Sequence, residues 1–160
     1  TFKPLVDGTA KPYFTGSCYY LSGDSSRGDD DNDGAWDPLW ARWPQFSELY
    51  VYNFIYGAGY WSNLLYPSLE AGVSFAKPGH KLRANVGPMY AAVEDDLGSG
   101  GGDLYGWFGM VRYDFPLWQK IFGKRGDLSG HLTAEVLDPG DYYSSDTLAY
   151  FLRWEIVARF

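Results

Sequence analysis

Asp29, Asp31 and Asp33, followed by Gly34, stand in the D-x-D-x-D-G order that opens a calcium-binding loop. The twelfth position of such a loop supplies a bidentate glutamate. Here it is Trp40, and no helical period flanks the run, so an EF-hand is not expected. Two readings stay open. One is a looser calcium site built from Asp29, Asp31 and Asp33 with Asp24 or Asp37; the other is a solvated acidic loop. The crowding of like charges favours an ion if the loop is compact.

Ser129, His131 and Glu135 fall on one face of a period-2 stretch, which invites comparison with a hydrolase triad. Residues two and four apart on one strand lie roughly 7 and 13 Å apart, so both cannot hydrogen-bond the imidazole. No catalytic role is expected, and nothing assembles a nucleotide, zinc or haem site. The chemistry that remains is charge. Glu70, Arg83, Arg112, Asp114, His131, Glu135, Arg153 and Glu155 all occupy alternate positions within otherwise apolar stretches.

Those stretches are six predicted strands, at about 11–21, 65–75, 82–92, 105–115, 128–137 and 148–160. Each has an apolar and a mixed face. In the last, Leu148, Tyr150, Leu152, Trp154, Ile156, Ala158 and Phe160 alternate with a set that includes Arg153 and Glu155. In the fourth, Tyr105, Trp107, Gly109, Val111, Tyr113 and Phe115 oppose a set with Arg112 and Asp114. Ser17 and Tyr19 lie with Tyr13 and Thr15 on the more polar face of the first, and Cys18 lies on the other.

Composition agrees with an all-β chain. Of 160 residues, 19% are aromatic and 20 are glycine, with 14 tyrosines. A net charge of -7 argues against a nucleic-acid partner, which needs a basic face. A single cysteine rules out an intrachain disulfide framework. No apolar run is long enough for a transmembrane helix. The chain lacks an initiator Met and a leader, so it is expected to begin after processing or to be part of something longer.

A soluble sandwich would turn the apolar faces inward and bury them. Three features argue for the opposite orientation. The predicted strands match the roughly 9–11 residues of a tilted transmembrane strand. Aromatic residues gather towards strand ends, at Trp107, Tyr113, Phe115, Trp118, Tyr142, Tyr143, Tyr150 and Phe160, as an interfacial girdle does. The mixed face also carries too much charge for a dry core. The expected fold is therefore an antiparallel transmembrane β-barrel, with residues 1–160 as one domain or its C-terminal portion. Apolar faces meet lipid, and the mixed faces line a lumen.

Parity then assigns the ends. Connections near 22–60, 94–103 and 138–146 lie outside; turns near 76–81 and 116–127 lie on the periplasmic side, the second of them long for such a turn. Six strands are fewer than the roughly eight of the smallest single-chain barrels. Either the chain supplies part of a larger barrel, or a further hairpin lies at 46–61.

The stretches YYLSGDSS, WDPLWARWPQFSELYVY, GYWSNLLYPSLEAGVSF and the ending AYFLRWEIVARF resemble the C-terminal part of outer-membrane barrels of the alginate-export type. The resemblance covers roughly 19–76 and 127–160. It implies a barrel of about eighteen strands, of which this chain would supply the last third. It further implies a bacterial outer-membrane location, passage of an anionic polysaccharide through an arginine-rich constriction, and recognition of Phe160 by the barrel-assembly machinery. Arg83, Arg112 and Arg153 fit such a lining by face alternation. Glu70, Asp114, Glu135 and Glu155 on the same face make the lumen mixed rather than basic. The expectation is a non-enzymatic, porin-like channel for polar or anionic solutes. The rival is a structural barrel, its lumen filled by salt bridges, that holds a surface or periplasmic partner. The aromatic segment 36–52 is either a sugar-stacking platform or a loop folded into the barrel mouth.

Overall fold

The computed structural model describes residues 10–23, 47–49, 62–76, 79–93, 100–122 and 125–160. Its elements are six strands: β1 (Ala10–Leu21), β2 (Leu64–Phe75), β3 (Lys81–Tyr90), β4 (Leu104–Phe122), β5 (Arg125–Pro139) and β6 (Ala149–Arg159). They form one antiparallel sheet in sequence order. The fold is all-β, as expected. The sheet is open, with β1 and β6 as its edges.

Four strands follow the predicted limits closely. The β4–β5 pair does not. The segment 116–127, expected to be a turn, is mostly strand: β4 runs on to Phe122, which pairs with Arg125. The ladder continues through register shifts at Pro116/Trp118 and Gln119/Phe122. Proline cannot donate to a ladder and tolerates such irregular positions. Both connections at this lower end are therefore short, while those at the upper end span residues 22–63, 91–103 and 140–148.

Tyr105 was expected on the same face as Trp107, and it turns the other way. The ladder shifts between Met89 and Tyr90, so that Met89 faces Gly106 and Tyr90 faces Leu104, leaving Tyr105 as the extra residue of a bulge. Gly106 has φ +143°, and a Cβ there would lie 2.1 Å from the Asp138 carbonyl oxygen. Tyr105 thereby enters a buried cluster at the upper end with Leu64, Tyr66, Met89, Phe108 and Tyr142. Tyr142, expected in an exposed girdle, is edge-on to Tyr105 at 4.4 Å between ring centres. Tyr143 packs against both.

The apolar stripes are the exposed ones. Leu69 is 69% exposed, and Leu152 and Trp154 are each 72% exposed. The mixed face is the more covered side, with His131, Thr133 and Glu135 buried. Of the proposed hairpin at 46–61, only residues 47–49 are described, and Glu48 and Leu49 are helical rather than extended.

Candidate functional site

Strand register arranges the mixed face in three charged rows. The middle row runs Tyr13, Gly72, Arg83, Arg112, Thr133, Arg153 across the six strands. Above it runs Thr15, Glu70, Asn85, Met110, Glu135, Phe151. Below it runs Lys11, Ser74, Lys81, Asp114, His131, Glu155. All eight expected lining residues thus share one face, and the three arginines share one level.

Each arginine is met by a carboxylate. Arg83 lies 3.8 Å from Glu70, whose other oxygen accepts the Tyr13 hydroxyl at 2.8 Å. Arg112 donates from Nε and Nη2 to one oxygen of Asp114, at 3.0 and 2.8 Å. Arg153 donates to both Glu48 and Glu155. Part-exposed ion pairs of this kind contribute roughly 0–1 kcal/mol each, so they orient side chains more than they stabilise the sheet. Arg83 Nε is buried without a hydrogen-bond partner among the described residues.

Two ring contacts support the rows. Tyr13 lies over Gly72, where a Cβ would sit 2.3 Å from the ring. The glycine therefore gives the tyrosine room to reach Glu70. Lys81 Nζ stands 5.1 Å from the same ring, within cation–π range. Below, a cavity of about 380 Å³ is lined by Arg112, Asp114, Gln119, Asp127, His131 and Glu155. Ser129 also lines it, but Glu135 lies two rows higher and binds elsewhere, so these residues do not assemble a triad.

Glu135 is 4% exposed and both its oxygens are occupied. Oε2 accepts the Ser47 hydroxyl and the Leu49 amide, each at 2.8 Å, and Oε1 accepts the Glu48 amide at 3.2 Å. A carboxylate at the start of a helical turn satisfies amides that have no intrahelical acceptor. Leu49 completes the anchor by entering the buried cluster. Sequence reasoning missed Ser47 and Glu48 as part of this face. Their signal is a serine standing where a helix begins, which local pattern reads but cannot dock.

The opposite face is layered. Gly16, Leu69, Val86, Gly109, Val136 and Tyr150 form one level, and Phe14, Ala71, Ala84, Val111, Ala134 and Leu152 the next. Above this mainly aliphatic band stand Tyr20, Tyr90 and Trp107; below it stand Tyr113, Trp154, Phe75, Phe115 and Trp118. Asp138 stands at the upper rim of this face. From Trp107 to Phe115 the strand rises about 26 Å.

No protein-family model matches the sequence, and no curated protein or solved structure is significantly similar to it.

The acidic residues Asp29, Asp31 and Asp33, for which the sequence leaves both a calcium site and a solvated loop open, lie outside the described residues. Cys18 is exposed beside Pro67 on the apolar face. His80 Nδ1 meets the Tyr113 hydroxyl at 2.7 Å. Phe160 is 91% exposed.

Proposed function

We propose that this chain is part of a bacterial outer-membrane β-barrel, the C-terminal portion of one of the alginate-export kind, and that its mixed face lines a porin-like channel for polar or anionic solutes. The observation that carries this reading is the division of one sheet into two surfaces. One is exposed, nearly free of charge and banded by aromatic residues. The other holds arginines at a single level. An exposed aliphatic band with aromatic rows on either side suits a bilayer, whose apolar girdle is about 25 Å tall. In water the same surface would be an aggregation liability.

The mechanism is passive. Arg83, Arg112 and Arg153 offer charge-assisted contacts to a passing solute. The carboxylates beside them keep each contact weak enough for release. Residues 47–49 narrow the passage from the side. The open edges of β1 and β6 would be closed by further strands. Reconstitution of the native protein in planar bilayers tests this: discrete conductance steps with a charge-dependent reversal potential are expected. A native barrel that inserts but passes no ions would overturn it.

A second reading rests on the ion pairing itself. All three arginines already hold carboxylates, and residues 47–49 pack on the same face. A barrel filled in this way would serve as a scaffold for a surface or periplasmic partner, and an inserted but non-conducting barrel would favour it.

A further inference from the structure

We infer that residues 47–49 form a selectivity latch: Glu135 anchors the turn, and the anchored turn delivers Glu48 to Arg153, cancelling part of the positive charge of the arginine row. This rests on the channel reading above and names what sets its preference among ions.

The two contacts have different chemistry. The anchor is buried and, among the described residues, pairs with no cation; Glu135 spends both oxygens on two amides and a hydroxyl. Removing a buried, fully engaged acceptor leaves several donors unsatisfied, which is the costly case. The delivered group is different. Glu48 and Arg153 are both partly exposed, and Glu48 comes from a residue 105 positions earlier in the chain. Arg153 also holds Glu155, its neighbour on β6. Glu155 stays beside Arg153 on the same strand, whereas Glu48 leaves whenever the turn lifts.

Charge on the sheet's own face makes this delivery consequential. Arg83, Arg112 and Arg153 are each met by one carboxylate of the sheet itself, Glu70, Asp114 and Glu155. Glu48 is a second acid at Arg153, so the docked turn makes the surroundings of that guanidinium more negative. Undocking leaves Arg153 with Glu155 alone, so that its guanidinium can turn to an anionic solute. The expected ligand class is therefore carboxylated or sulfated, competing with Glu48 for Arg153. Leu49, buried at 1% exposure, makes the docked state the resting one.

Two variants of the full chain separate the anchor from the delivered charge. Glu135→Gln is read by hydrogen exchange at the Glu48 and Leu49 amides in the folded protein. Exchange is expected to accelerate about tenfold or more as the anchor weakens. Glu48→Gln should leave the Leu49 amide protected and raise the chloride-over-potassium permeability ratio about two- to threefold, the order expected for removing one unit charge beside a water-filled path. Unchanged exchange in Glu135→Gln would overturn the anchor. An unchanged permeability ratio in a conducting Glu48→Gln channel would overturn the selectivity role while leaving the channel reading intact. A wild-type barrel that never conducts would overturn both the channel and the selectivity role, with the anchor still decided by exchange.

Discussion

Arg83 and Arg112 stand directly opposite one another on β3 and β4, yet each has a carboxylate of its own. Two like charges facing across a strand pair repel, and the neighbouring Glu70 and Asp114 make the arrangement tolerable. That relationship gives the first prediction. Asp114→Asn leaves Arg112 facing Arg83 with one compensating acid fewer. A loss of about 0.5–1.5 kcal/mol is expected in urea unfolding at low salt. The loss should shrink in 0.5 M salt, on the order of a 4 Å screening length, and the double variant with Arg83→Gln should recover most of it. Equal losses at both salt concentrations would point to packing instead.

The exposed stripe yields a depth test. Val111 lies in the aliphatic band and Ala158 at the lower end of the same face. In a bilayer, Val111→Arg should cost about 2–4 kcal/mol and Ala158→Arg about 0–1 kcal/mol. On a water-facing sheet both substitutions would be nearly neutral. Folding into lipid vesicles, followed by denaturant titration, distinguishes the two, and equal effects at both depths would argue against a spanning sheet.

Gly72 is a position where even one methyl group is too large. Tyr13 ring atoms lie 2.3 to 2.4 Å from where a Cβ would be. Gly72→Ala is expected to displace the ring, break its hydrogen bond to Glu70 and destabilise the sheet by about 1–3 kcal/mol. Pairing it with Tyr13→Ala should give a double variant less unstable than the sum, read from unfolding midpoints.

Asn63 closes the upper end. Its side chain donates to the Val93 carbonyl at 2.9 Å and accepts the Val93 amide at 2.8 Å, while its own carbonyl accepts the Tyr105 hydroxyl at 2.8 Å. Asn63 also has φ +56°, which asparagine tolerates better than most residues. Asn63→Ala should cost about 1–3 kcal/mol through the lost pair of bonds and the left-handed backbone. Asn63→Gly, which relieves the backbone but not the bonds, should fall between it and wild type.

Burial raises the Tyr143 phenol above its ordinary value of 10.0. The neutral form is thus favoured more in the folded chain than in the unfolded one. Its contribution is complete below about pH 10 and is lost as pH climbs above that value. Thermal midpoints should therefore fall on the alkaline side of pH 10, and Tyr143→Phe should flatten that part of the profile. An unchanged slope would remove Tyr143 as the cause.

Much of the fold was legible because a strand announces its faces locally. Every second residue from Tyr150 to Ala158 is apolar, and that pattern already placed Arg153 and Glu155 together on the other side. What local pattern could not show was Tyr105. Its turn inward depends on a bulge in the β3–β4 ladder and on the close approach of Gly106 to Asp138 on β5, a residue more than thirty positions away. The same holds for 116–127, where Pro, Gly and basic residues read as a turn although pairing with β5 carries the strand through them.

Alternation, composition and spacing were enough by themselves to establish six strands, an apolar face and a charged one, because the period of a strand is written residue by residue. Tertiary structure alone decided that Arg83, Arg112 and Arg153 share one level, since cross-strand register comes from pairing between distant segments. It alone also brought Glu48 to Arg153 and Ser47 to Glu135, across 105 and 88 positions of chain. Such contacts depend on the sheet first existing as a surface on which a loop can dock, and no short-range pattern encodes that.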